Sequence, residues 1–105
     1  MLEIDLMFGR NIGGALGVSE EQWSDFMAGE ISPHFPEGMS VDDAVGQWRD
    51  RATQATVKEP AKDVTLIVPQ DAEVKGKIDA IVRARKERVK QQSVGVVMGP
   101  ACVSF

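Results

Sequence analysis

Apolar and polar side chains alternate from the start of the chain: Leu2, Ile4, Leu6 and Phe8 take one parity, and Glu3, Asp5 and Met7 the other. Period two predicts a strand over residues 2–8 with one covered face and one open face. Residues 9–17 are glycine-rich and predict a loop. The period then changes. Trp23, Phe26, Met27 and Ile31 follow helical spacing and form one apolar stripe. Ser19 and Gln22 are spaced as a capping box, and Val18 and Trp23 as a hydrophobic staple. Glu20 and Glu21 suit the positive end of the helix dipole. Pro33 predicts the stop, with Ser32 pushed out of the α region.

Residues 41–51 read as a second, weaker strand and 52–61 as a hairpin loop. Residues 62–68 (Lys-Asp-Val-Thr-Leu-Ile-Val) are nearly continuous in apolar character, as a central strand requires. Asp71 is placed to cap a second helix, whose stripe is Val74, Ile78, Ile81, Val82 and Val89. Gly76 weakens that helix by about 1 kcal/mol relative to Ala, a cost that close packing there would explain. Residues 93–98 and 101–105 predict a last strand interrupted at Gly99-Pro100, a position proline tolerates on an edge.

The order β-α-β-β-α-β predicts an α+β, ferredoxin-like domain spanning 1–105. Its four-stranded antiparallel sheet would carry both helices on one face. Strands one and three would be central, and Glu3, Asp5 and Met7 would face outward. The corner Phe35-Pro36-Glu37-Gly38 turns the chain from helix one back to an edge strand, with Phe35 plugging the end of the core.

Composition narrows the partners. Twelve Lys and Arg against sixteen Asp and Glu give a net charge of −4, which disfavours nucleic acid and anionic membranes. The single cysteine, Cys102, forms no internal disulfide. No apolar run reaches the roughly 18 residues of a membrane span. The N-terminus lacks the basic and apolar regions of a secretion signal. The expected location is the cytoplasm, unless a leader has been removed.

A set of short motifs spans nearly the whole chain. It comprises Phe8-Gly9-Arg10, Trp23, Phe26, Pro33, Phe35-Pro36-Glu37-Gly38, Gly46-Gln47-Trp48, Glu59, Lys62, Gln92-Ser93-Val94 and Cys102-Val103-Ser104-Phe105. Together they resemble the small bacterial domain-of-unknown-function family DUF3574. The resemblance implies a single domain and brings no activity with it. It also implies a signal or lipoprotein leader in many members, from which this sequence departs.

Candidate chemistry is sparse. Arg10 either clamps a carboxylate or phosphate or pairs with an acid to order the glycine loop. Gly13, Gly14 and Gly17 do not match a phosphate-binding spacing, and Glu20 and Glu21 would repel an anion there. Gln47 and Arg49 share one face of their strand, expected to be the open one, with Trp48 packed beneath. Glu59 is a candidate general base or arginine partner. Asp5, on a central strand, is either salt-bridged or available for proton transfer. The lone His34 cannot build a metal site with Cys102, and neither a metal nor a cofactor is expected. The basic run Arg83 to Lys90 reads as a solvated helix face.

Two functions stand. One is a small-molecule site on the open face, with Arg10, Gln47, Trp48 and Arg49 holding an anionic or polar ligand and Glu59 or Asp5 moving a proton. By analogy of fold, a face-to-face homodimer would close it. The other is a non-catalytic interaction module that uses the open face or an edge strand.

Overall fold

A computed structural model describes residues 1–12, 15–89 and 94–104. Strand β1 (Leu2–Gly9) leads into a short hairpin of β2 (Asn11–Ile12) and β3 (Ala15–Leu16). Helix α1 (Glu20–Phe26) continues into a π-helical turn, Met27–Ile31. Strands β4 (Ser40–Arg49) and β5 (Thr56–Val68), helix α2 (Val74–Arg88) and strand β6 (Val94–Pro100) follow. The main sheet has the order β4-β5-β1-β6, with every neighbouring pair antiparallel. The fold is therefore α+β, with two helices on a four-stranded antiparallel sheet.

The covered face is built by period two in the strands. Ile4, Leu6, Phe8, Val64 and Leu66 form one core with Trp23, Phe26 and Ile31 of the α1 segment and Val74, Ile78 and Ile81 of α2. Each such side chain, fully buried, contributes about 1.5–3 kcal/mol. Phe8, Trp23 and Phe26 form an aromatic trio with ring centroids 5.1–6.0 Å apart. The predicted capping box is present: Gln22 N donates to Ser19 Oγ at 3.1 Å, and Ser19 N donates to Gln22 Oε1 at 2.9 Å.

Several expectations need correction. The helical segment does end at Ile31, ahead of Pro33, but not by the expected route. Ser32 stays in the α region (φ −56°, ψ −37°), and its N–H donates to Met27 O across the π turn. The wider winding explains why Ile31, five residues after Phe26, still reaches the core. The glycine-rich loop contains the β2–β3 hairpin, although Gly13 and Gly14 lie outside the described residues, as do 90–93 and Phe105. Gly99-Pro100 does not interrupt β6, because Pro100 ends the strand opposite Leu2. No side chain caps α2, and Asp71 instead receives Glu73 N at 2.8 Å in the turn before it. Nothing packs against Gly76, where an added Cβ would meet open space.

The largest difference lies at residues 52–61. The hairpin turn is confined to 50–55, and β5 begins at Thr56. Pro60 sits inside β5 rather than in a loop. It lies past the end of β1, where it pairs with Val45 of β4 and its carbonyl accepts the N–H of Arg10. Residues 45–49 and 56–60 therefore form a two-stranded arm that β1 does not support. At about 3.4 Å per residue the arm projects about 17 Å.

The corner after the π turn behaves as expected. Phe35 is buried, and Gly38 takes the left-handed conformation, φ 123°, that favours glycine.

Candidate functional site

Strand register decides which side chains meet. Ser40, Asp42, Ala44, Gly46 and Trp48 of β4 pair with Thr65, Asp63, Ala61, Glu59 and Val57 of β5. Thr65, Asp63 and Ala61 in turn pair with Asp5, Met7 and Gly9 of β1. These residues, with Glu3, form the face away from the helices. Trp48 thus lies on the open face and is 51% exposed, not packed beneath it. Gln47 and Arg49 fall on the opposite face, along the arm, which corrects their expected placement. The reason is register: one residue of phase moves a whole set of side chains to the other side of a sheet.

The open face carries one sign of charge. Glu3, Asp5, Asp42, Glu59 and Asp63 all lie on it, and among the described sheet residues no Lys or Arg does. Asp42 and Asp63 are direct cross-strand partners, which sets their Cβ atoms about 4.5–5.5 Å apart. Burial, then the charges of Asp5 and Asp42, push the Asp63 carboxyl above the usual range. Asp63 Oδ1 is shielded from solvent and has no hydrogen-bond partner among the described residues. Asp5 Oδ1 accepts from Thr65 Oγ1 at 2.7 Å. Met7 spreads toward β6, where a Cβ on Gly95 would come within 2.9 Å of its terminal methyl. Of the acids, Glu3 and Asp42 are exposed, and Asp5 and Asp63 are half-buried between them. At one end of this face a groove of about 390 Å³ is lined by Glu37, Gly38, Met39, Ser40, Thr65 and Ile67. Its floor is the open face itself, and the Phe35–Gly38 corner forms its wall.

The other predicted site residues serve elsewhere. Arg10 holds the start of α1: Nε donates to Val18 O at 3.1 Å, and the guanidinium pairs with Glu20 at 3.0 Å. Glu59 Oε1 accepts the backbone N–H of Asn11 at 3.4 Å. Arg10, Glu59, Gln47 and Arg49 do not converge. Arg49 lies six residues along β4 from Asp43, or about 20 Å.

Two buried cations were not anticipated. The Lys62 side chain is 6% exposed and pairs with Glu20 and Asp43, whose own side chains are 64% and 75% exposed. The bond from Lys62 draws the Asp43 carboxyl below its usual range and, together with the Glu20 pairing, raises the lysine. This knot ties β4, β5 and α1 together. Arg85 is not part of a solvated face. It is 2% exposed, donates to Gly9 O at 3.1 Å, and lies 5.1 Å from the Phe26 ring centre. Burial, then Arg88, lowers its pKa. Positions 74, 78, 81, 85 and 89 share one helical stripe, so Arg85 was visible by spacing and hidden by its charge. Arg85 and Arg88 line a cleft of about 240 Å³ with Gly17, Val18, Gln22, Asp25, Phe26 and Val89.

No group of three or more His, Cys, Asp or Glu among the described residues is arranged to hold a metal ion. Among those residues, too, no helix is long and apolar enough to cross a membrane.

The sequence matches the family described as "Protein of unknown function (DUF3574)" over residues 3–105. The chain belongs to DUF3574. No match was found among curated proteins. Among solved structures, this DUF3574 member is similar to phage SAM lyase in complex with S-methyl-5′-thioadenosine. The TM-score is 0.72 at 20% identity, covering 93% of this chain and 79% of that one. The apo phage SAM lyase gives a TM-score of 0.67 at 20% identity, covering 93% and 78%. At that identity the likeness concerns the fold.

Proposed function

We propose that this protein binds a small organic cation on the open face of its sheet, in the groove under the Phe35–Gly38 corner. The observation that carries this is the uncompensated row Asp5, Asp63 and Asp42. Like charges directly opposed on a sheet cost stability, and no basic group among the described sheet residues of that face offsets them. A surface of one sign focuses field and concentrates counter-charged ligands. A ligand bearing an amine, guanidinium or sulfonium would supply the missing charge. The groove offers its body apolar contact with Met39 and Ile67. The acids reverse the sign expected from Gln47 and Arg49, which lie on the other face. Asp63, with its raised pKa, suits the role of holding a proton. The order β4-β5-β1-β6 supports a single ferredoxin-like domain beneath this site.

The phage neighbour suggests a pair of related probes that differ in charge: S-adenosylmethionine, a sulfonium, and S-methyl-5′-thioadenosine, a neutral thioether. Thermal shift and calorimetric titration would compare these with putrescine, agmatine and citrate. We expect stabilisation by at least one cation that weakens with salt and in Asp63→Asn. At 100 times Kd the stabilisation is about 2.7 kcal/mol. A cation effect that survives unchanged in both Asp42→Asn and Asp63→Asn would overturn the reading.

A second reading rests on the cleft at Arg85 and Arg88. Two guanidinium groups beside the Phe26 ring suit a small carboxylate or phosphate. A response to citrate alone, lost in Arg88→Ala, would favour it.

A further inference from the structure

Among the described residues, no third strand pairs with the arm of residues 45–49 and 56–60 and no helix packs along it; Arg10 and Asn11 reach only its base, at Pro60 and Glu59. Every residue of β4 is exposed, including Val45 at 69% and Trp48 at 51%. A two-stranded ribbon is marginally stable alone in water. Its outer edge also presents a row of unpaired backbone groups.

The molecule as a whole exposes too much surface for its mass. A monomer of 11.4 kDa is expected to expose about 5,800 Å². This chain exposes 6870 Å². The excess, roughly 1,000 Å², compares with the roughly 800 Å² that one partner buries in a standard interface. The radius of gyration is 14.7 Å, against about 13 Å for a compact chain of this length.

We infer that a second copy of this chain pairs with the β4 edge, antiparallel, across a two-fold axis near Gly46. Two observations select this partner and this geometry. The charged side chains described on the open face are all acidic, so two copies facing each other there would repel, which favours association at an edge. Around Gly46 the β4 sequence is complementary to itself. Antiparallel pairing centred on Gly46 sets Arg49 opposite Asp43 of the second copy twice over, by symmetry. It also sets Trp48 opposite Ala44, a large ring over a small side chain, and Gln47 opposite Val45. Pairing centred one residue earlier would instead set Trp48 opposite Asp42. The centre position is open enough for backbones to approach, since a Cβ on Gly46 comes no closer than 3.7 Å to its nearest neighbour, Glu59 O. The result is an eight-stranded sheet whose acidic faces lie side by side. This inference does not depend on what the groove binds.

Light scattering coupled to size exclusion tests it on the intact chain. The expected mass is twice 11.4 kDa at micromolar concentration. Trp48→Glu is expected to give a monomer with unchanged circular dichroism. A Gly46→Cys variant in a Cys102→Ser background is expected to form a disulfide dimer on mild oxidation. Gly99→Cys, at a still more open position on β6, is expected not to. A monomeric wild type at 100 micromolar, a trimer or larger ring, or cross-linking through Gly99→Cys but not Gly46→Cys overturns it.

Discussion

Asp63→Asn isolates the cost of the acidic face. The substitution keeps the side-chain volume, removes one charge, and gives the site an amide that can donate. Asp42 lies directly across from Asp63, and Asp5 lies on the diagonal of the neighbouring strand. Like-charge contacts of this kind cost roughly 0.2–1 kcal/mol each. Removing both should stabilise the fold at pH 7 by about 1 kcal/mol, or about 4–8 °C in Tm for a domain near 100 residues. The effect has a definite pH dependence. The folded Asp63 carboxyl titrates above its unfolded counterpart, so the folded state holds its proton longer. The penalty is absent below the unfolded value near pH 4 and grows as pH rises through the folded pKa. The advantage of Asn should therefore be full at neutral pH and fade towards pH 4. Urea unfolding of both proteins at pH 7, 5 and 3.8, each at low and high salt, reads this directly. A variant no more stable than wild type at pH 7, or a gain undiminished at pH 3.8, would refute the electrostatic account.

Two further substitutions probe other corrections to the sequence reading. Gly76→Ala fills open space in the α2 interior, so it should stabilise by about 0.8–1 kcal/mol, measured as a raised urea midpoint at unchanged slope. Arg85→Ala removes a guanidinium packed on Phe8 and Phe26 and leaves Gly9 O without that donor. It should destabilise by about 2–4 kcal/mol. Arg85→Met should recover part of this by refilling the space, and equal losses in both would count against a packing role.

Local signals were legible in the sequence because their physics is local. Ser19 and Gln22 sit three residues apart and complete each other within one turn. The alternation of Leu2 through Phe8 needs no partner to be read. The arm was hidden for a related reason: Thr56 to Ala61 contains Lys58, Glu59 and Pro60, which read as loop residues, and only pairing with β4 makes them a strand. The acidic face was half visible. Glu3 and Asp5 were assigned outward, but Asp42 and Asp63 join them only through a register fixed by long-range pairing. Gln47 and Arg49 were misplaced for the same reason, because their parity is known from sequence and their phase is not. Arg85 shows a different limit. Its spacing put it in the core stripe, while its charge argued for solvent. The Phe26 and Phe8 rings and the Gly9 carbonyl decide the matter, and no short sequence window contains all three.

The strand order has a consequence for how the protein is made. β1 lies between β5 and β6, so the first strand of this sheet to be synthesised is completed on one side only by the sheet's last. Val94 to Pro100 must find Phe8 to Leu2 across most of the chain, and closing so large a loop slows folding. Until then Ile4, Leu6 and Phe8 belong to a strand with a bare edge, the kind of surface that partly folded chains use to aggregate. Any truncation or fusion that delays β6 should therefore reduce yield more than it reduces the stability of the protein once folded.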